Sequence, residues 1–314
     1  MNHHFRRLVY GVSILCGALL GSQKSSAQEI KIFTTRDFDL LGKVKSCLVL
    51  TDYGKEEFEF NRDGLLTKSV TRYNDNDYSI TYYKYRDGHM AERRDEVYRD
   101  GAFDANSSIA HFFNLDTVPG KRITEQIVTY NKEFLDRYEY YFDEDNKLVR
   151  ILRSSNEGID ETRVDYSTHK GEFTTTYFLN EVLQKTVRES FIPAQGGGDK
   201  RILLTKEYIN GVPDKALEQT FDAGGNLVTE QRFEYSQKEK SFVPVSRISY
   251  EYGDNQQLSN VSTTSNGQKR SKNYIFQYDP KGNWIKQIIT PENAYTTRKI
   301  EYYLPDKVED RGGE

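Results

Sequence analysis

The chain has 314 residues with 44 basic and 48 acidic side chains, a formal charge of −4 and a hydrophobic share of only 36%. Its core is thin for its length, yet 13% aromatic residues and only 7 Pro exclude a disordered chain, because Tyr and Phe bury large apolar areas. The net negative charge argues against a nucleic-acid partner, which needs a basic face.

Residues 1–27 read as a secretory signal. Arg6 and Arg7 supply the positive region, Leu8 to Leu20 form an uncharged apolar stretch, and Ser25-Ser26-Ala27 offers small residues for cleavage. That stretch is too short to span a bilayer as a helix, and no other segment is long and apolar enough to do so. An uncleaved anchor and lipidation at Cys16 are the alternatives; Leu15 is bulky for a lipidation site. Cleavage leaves Cys47 as the single cysteine, so no internal disulfide forms. Cys47 lies in the β-rich run Cys-Leu-Val-Leu and reads as a small buried hydrophobe rather than a nucleophile.

From residue 58 onward one pattern recurs. An aromatic residue ends an alternating run, an Asp/Asn/Gly cluster follows, and Leu, Met or Trp opens the next run. The instances are Phe60 to Leu66, Tyr85 to Met90, Phe142 to Leu148, Phe221 to Leu227, Tyr252 to Leu258 and Tyr278 to Trp284. Weaker turns fall at His169-Lys170-Gly171 and near Gly196-Gly197-Gly198. The recurrence fits the roughly 20–50-residue periods of repeat architectures. Each unit reads as a β-hairpin, since Asp-Gly and Gly-Asn accept the positive φ of tight turns. In Leu227 to Tyr235, Leu, Thr, Gln, Phe and Tyr are expected on one face. In Val245 to Tyr252, Ile248, Tyr250 and Tyr252 share a face. Apolar spacing of helical period is nearly absent, and a sheet with one wet face needs few apolar residues.

The segment Tyr278-Asp279-Pro280-Lys281-Gly282-Asn283-Trp284-Ile285 resembles the Tyr-Asp-x-x-Gly-Asn core of YD (Rhs-type) repeats. The opening Asp39 to Ser46, with Phe58-Glu59-Phe60 and Asp63-Gly64-Leu65, and the ending Arg298 to Tyr303 look like exported YD-repeat-like proteins common in Bacteroidetes. The resemblance spans residues 38–303, strong at both ends and diluted between 100 and 215. It implies a sheet of repeated strands and no toxin function. The expected fold is all-β, an antiparallel meander of repeated hairpins forming one long twisted or curled sheet. That sheet is open and solenoid-like or partly rolled, with few helices, in a single domain over residues 28–314.

Two stretches interrupt the pattern. Residues 99–122 read as an irregular insertion holding a short Ser-capped helix around 107–115, with Phe112 and Phe113 as a candidate lid or as ordinary edge packing. Residues 193–199, with three consecutive Gly, read as a flexible connection.

Chemistry-bearing motifs are sparse. His89, His111 and His169 lack zinc spacing, and no nucleophile elbow or phosphate-cradling loop is present. The acidic runs Asn74 to Asp77 and Asp143 to Asn146 read as hairpin turns rather than calcium loops. No catalytic residue, metal or cofactor is expected. The Tyr surplus is the functional lead: Tyr78, Tyr82, Tyr138, Tyr140, Tyr235, Tyr250, Tyr274 and Tyr278 recur on strands, with Trp284 near the C-terminal end. These rings, Tyr250, Tyr274, Tyr278 and Trp284 foremost, form either a flat platform for a glycan or peptide or a packed cross-strand ladder. The leading expectation is an exported, non-enzymatic binding or scaffold module for an envelope glycan or protein, located in the periplasm, at the outer membrane or outside the cell. The alternatives are a hydrolase with carboxylates converging in the fold, a lipid or lipoprotein carrier, and an outer-membrane β-barrel, which the 29% charged residues count against.

Overall fold

The Asp/Asn/Gly clusters reverse the backbone, and the alternating runs between them pair with their sequence neighbours. The computed structural model describes residues 30–304 apart from 119, 195–196 and 254–255. The signal segment with Cys16, Gly196 of the glycine run, and Asp254-Asn255 of one turn lie outside the described residues. A leading segment with one 3-10 turn, Thr35–Phe38, precedes the strands. These begin with β1 (Val44–Thr51), β2 (Gly54–Phe60), β3 (Leu66–Arg72), β4 (Tyr78–Arg86) and β5 (His89–Arg99). Next come β6 (Ala102–Phe103), β7 (Ile109–Asp116), β8 (Arg122–Thr129), β9 (Phe134–Phe142) and β10 (Leu148–Ser155). The third group is β11 (Gly158–His169), β12 (Glu172–Leu179), β13 (Val182–Pro193), β14 (Asp199–Ile209) and β15 (Val212–Phe221). The last are β16 (Leu227–Ser236), β17 (Ser241–Tyr252), β18 (Leu258–Ser265), β19 (Gln268–Tyr278), β20 (Trp284–Thr290) and β21 (Ala294–Tyr302).

Strand β1 pairs antiparallel with both β2 and β21, so Cys47 lies opposite Phe58 on one side and Ile300 on the other. The meander therefore closes into a barrel of 20 antiparallel strands, with the two-residue β6 appended to β5. This corrects the open or partly rolled sheet expected from the sequence. An open sheet would leave two edges of unpaired N–H and C=O groups, and the β1–β21 seam satisfies both.

The register sorts side chains onto two faces. One, here the aromatic face, carries Cys47, Phe58, Tyr83, His111, Tyr140, Ile151, Val164 and Tyr177, which follow one another across paired or alternate positions. Two apolar clusters lie on it. The larger joins Phe38 and Leu40 of the leading segment to Cys47, Val49, Phe58, Phe60 and Leu66, and the smaller centres on Phe142, Leu148 and Val164. The opposite face is laced with cross-strand ion pairs, including Lys68–Glu59 at 2.9 Å, Arg72–Glu57 at 3.0 Å and Lys84–Glu92 at 2.8 Å.

All six strong sequence turns share one construction. At Phe60↔Leu66, Tyr85↔Met90, Phe142↔Leu148, Phe221↔Leu227, Tyr252↔Leu258 and Tyr278↔Trp284 the register shifts by one residue immediately inside the turn. Such a bulge re-aims the strand and increases its twist. In four of the six the leading turn residue, Asn61, Asp143, Asp222 or Asp279, accepts backbone N–H groups, as Asp279 Oδ1 does from Lys281 and Asn283, both at 2.9 Å. Gly225 and Gly282 then adopt φ of 87° and 84°, open to glycine without strain. The bulge also corrects one face assignment. Phe221 faces Leu227 while Gln219 faces Glu230, so Leu227 sits with Glu230 and Arg232 rather than with Thr229 and Phe233.

The expected irregular insertion is another correction. Residues 109–116 form β7, paired with β8 along its length and with β5 over Ile109 to Phe112, not a helix. Ser108 caps no helix: its hydroxyl donates to Asp104 O at 2.7 Å and accepts the Val97 N–H at 3.0 Å, bracing the loop before β7. Strands β13 and β14, on either side of the glycine run, pair antiparallel, with Pro193 opposite Asp199.

Candidate functional site

Of the residues singled out from sequence, Tyr278 and Trp284 meet as cross-strand partners, while Tyr250 lies on β17 and Phe112 and Phe113 on β7. Tyr250 on β17 donates its hydroxyl to Glu230 at 2.7 Å. Tyr274 and Trp284 are only 8% and 7% exposed, whereas Tyr278 is 38% exposed. Phe276 joins the last two, with ring centroids 6.3 Å from Tyr278 and 5.9 Å from Trp284. The Arg298 guanidinium lies 3.5 Å from the centre of the Trp284 ring, so that ring is engaged within the wall. Phe112 and Phe113 are consecutive strand residues and point to opposite faces. Phe112 is 43% exposed opposite Glu92 and Gln126, while Phe113 stacks near His111 with centroids 6.3 Å apart.

Three groupings emerge that spacing alone did not reveal. The first is the seam. Asn283, 1% exposed, accepts the Leu41 N–H at 2.6 Å and donates to Leu41 O at 3.0 Å and to the Tyr302 hydroxyl at 2.7 Å. The Tyr302 hydroxyl in turn donates to Asp279. Asp39 follows the 3-10 turn at φ 52°; burial pushes its carboxyl up to about 6 against the opposing charge of Arg298. Burial likewise pushes the Cys47 thiol up to about 11. A thiol that holds its proton at neutral pH is a packing group, not a nucleophile.

The second is a polar chain crossing β5, β7, β8 and β9 on the aromatic face. Arg93 donates to Asp95 at 3.1 Å and to His111 Nε2 at 2.7 Å. Because a guanidinium has no acceptor, Nε2 accepts and Nδ1–H donates to Glu125 at 2.7 Å. Glu125 also accepts from the Tyr140 hydroxyl at 2.8 Å. Burial raises the Glu125 carboxyl, but the hydrogen bonds from His111 and Tyr140 and nearby positive charge outweigh it and hold the group below its ordinary value. In the sequence His111 has no neighbouring His or Cys to mark it; its partners come from other strands.

The third is a cavity of about 250 Å³ beside that chain, lined by Tyr138, Tyr140, Ile151, Arg153, Asp160, Thr162 and Leu179. Arg153 donates to Asp136 at 2.9 Å and lies 3.9 Å from Asp160. Its guanidinium carbon is 6.0 Å from the centre of the Tyr138 ring. Tyr138 and Tyr140 lie nearly parallel, 17° apart, at 6.2 Å. One guanidinium thus sits between two carboxylates and beside an aromatic plane. A larger cavity of about 660 Å³ lies at the seam, among Ser46, Glu57, Glu59, Glu301 and Tyr303; its polar groups are mostly engaged in cross-strand pairs such as Ser46–Glu301 at 3.3 Å.

No protein-family model and no curated protein matches the chain. Among solved structures it is similar to a porin-like protein from Bacteroides uniformis ATCC 8492, at 8% identity and a TM-score of 0.28, over 82% of this chain and 98% of that one. A porin-like protein from Bacteroides vulgatus ATCC 8482 is similar at 11% identity and a TM-score of 0.29, over 83% and 98%. TcdB2-TccC3 without its hypervariable C-terminal region is similar at 12% identity and a TM-score of 0.19, over 76% of this chain and 15% of that one. Likenesses this distant assign no function.

Proposed function

We propose that the chain is an exported, outer-membrane-associated β-barrel that stands in water and serves as a non-enzymatic binding or scaffold module for an envelope glycan or protein. The observation that carries this reading is charge on both faces of the wall. One face bears the Lys68–Glu59, Arg72–Glu57 and Lys84–Glu92 pairs. The other bears Arg93–Asp95, His111–Glu125, Arg153–Asp136 and Arg201–Glu189. An Arg or Lys on the lipid face of a barrel costs about 2–4 kcal/mol at the bilayer midplane. Among the described residues neither face offers a bilayer an uninterrupted apolar band. The signal-like residues 1–27 support export, and the accessible aromatic cavity on β9–β11 supports binding.

A membrane-spanning barrel is the second reading. It is favoured by an even-numbered ring of neighbouring antiparallel strands whose first and last members, through Val44 and Tyr302, start and finish at one rim. Flotation separates the two. The mature domain, purified without detergent and mixed with phospholipid vesicles, should remain monodisperse and stay in the dense aqueous fraction. Requirement for detergent together with flotation would overturn the water-standing reading in favour of the spanning one.

A further inference from the structure

Resting on the binding reading above, we propose that the cavity between β9, β10 and β11 is a subsite for one neutral sugar ring of a glycan chain. Its walls supply the two contacts that saccharides require. The Tyr138 ring, close to parallel with that of Tyr140, gives an apolar plane for the C–H face of a pyranose. Asp160 accepts from Asn180 through Oδ1 at 2.8 Å and keeps Oδ2 3.9 Å from Arg153, so an acceptor and donors lie side by side, the arrangement that engages two adjacent hydroxyls, and Thr162 lines the same cavity.

Charge selects the class of sugar. Arg153 is bonded to Asp136 at 2.9 Å and faces Asp160 as well, so its single positive charge is outnumbered by two carboxylates. A uronic acid would bring a third carboxylate into that group and be repelled. The volume of about 250 Å³ sits just below the range of drug-sized pockets, about 300–1,000 Å³, and suits one ring rather than a folded peptide. Tyr140 is less available for ligand bonding because its hydroxyl is committed to Glu125; it holds Tyr138 and the β9 backbone in place.

The test uses the mature barrel and saturation-transfer NMR with calorimetry against oligosaccharides derived from mannan, α-glucan and β-glucan, with oligouronates in parallel. At least one neutral series should bind and the uronates should not. Tyr138→Ala and Asp160→Ala should each weaken that binding by about tenfold or more, Tyr138→Phe should keep it, and all three should keep the parent's β-sheet circular dichroism at the assay temperature. Neutral-sugar binding that survives both alanine variants would overturn this site while leaving the binding function standing. Uronate binding stronger than neutral-sugar binding would overturn the charge argument. A folded barrel that binds none of these sugars but captures an envelope protein would overturn the sugar subsite and keep the binding reading; failure with sugars and envelope extracts alike would sink both.

Discussion

Asp39 shows how one side chain couples the leading segment to the closed ring. Its left-handed backbone turns the chain from the 3-10 helix toward β1, and Leu40, next to it, is 2% exposed. Burial pushes its carboxyl up to about 6, and the charge of Arg298 only partly offsets this. The folded state therefore holds the proton more tightly than the unfolded chain, whose value is near 3.8. The stabilisation is full below about pH 4, declines as pH rises toward 6, and is gone above it. Asp39→Asn, which tolerates the same backbone conformation, should be the more stable form at pH 7, by roughly 1–3 kcal/mol. The two should converge near pH 4. Urea midpoints at both values check this; a variant less stable than the parent at pH 7 would contradict it.

At the scale of elements, the hairpin with its bulge and a returning tyrosine is the working unit. Tyr85 donates to Leu66 O at 2.7 Å, Tyr166 to Leu148 O at 2.8 Å and Tyr252 to Leu227 O at 2.9 Å. In each case the hydroxyl satisfies the carbonyl of the first residue after a bulged turn. Part of the Tyr surplus is thus structural, tying each turn to a later strand. Tyr252→Phe should cost about 1 kcal/mol by leaving the Leu227 carbonyl without this donor, while Tyr295→Phe, at a ring 55% exposed, should be neutral; thermal melts of the pair decide. The six turns were legible because Asp, Asn and Gly announce positive φ. The phase of the strand after each turn was not, because the extra residue at Val228 flips Leu227 relative to Glu230 without changing composition. Ser107-Ser108 suggested a helix cap for a similar reason: a serine hydroxyl satisfies a loop as readily as a helix end.

At the scale of the molecule, the all-β character was legible and the closure was not. Alternation specifies pairing with a neighbour but not which strand neighbours the first. One signal for closure was present: β1, Val-Lys-Ser-Cys-Leu-Val-Leu-Thr, lacks the proline and dense charge that protect an exposed edge. The cavity and the His111–Glu125 chain were equally hidden, since they join residues from separate strands that meet only through register.

The seam allows a direct test with one substitution, because the native Cys47 thiol faces Ile300 across β1 and β21. Directly opposed residues on antiparallel strands lie about 4.5–5.5 Å apart at Cα, within reach of a disulfide. Refolding of Ile300→Cys through an oxidising thiol–disulfide couple, which reaches Cys47 before burial shields it, should give an intramolecular disulfide between Cys47 and the introduced thiol in nearly every monomer, read by mass spectrometry and by faster migration on non-reducing gels. Two free thiols, or bonds only between separate chains, would contradict a ring closed through β1 and β21.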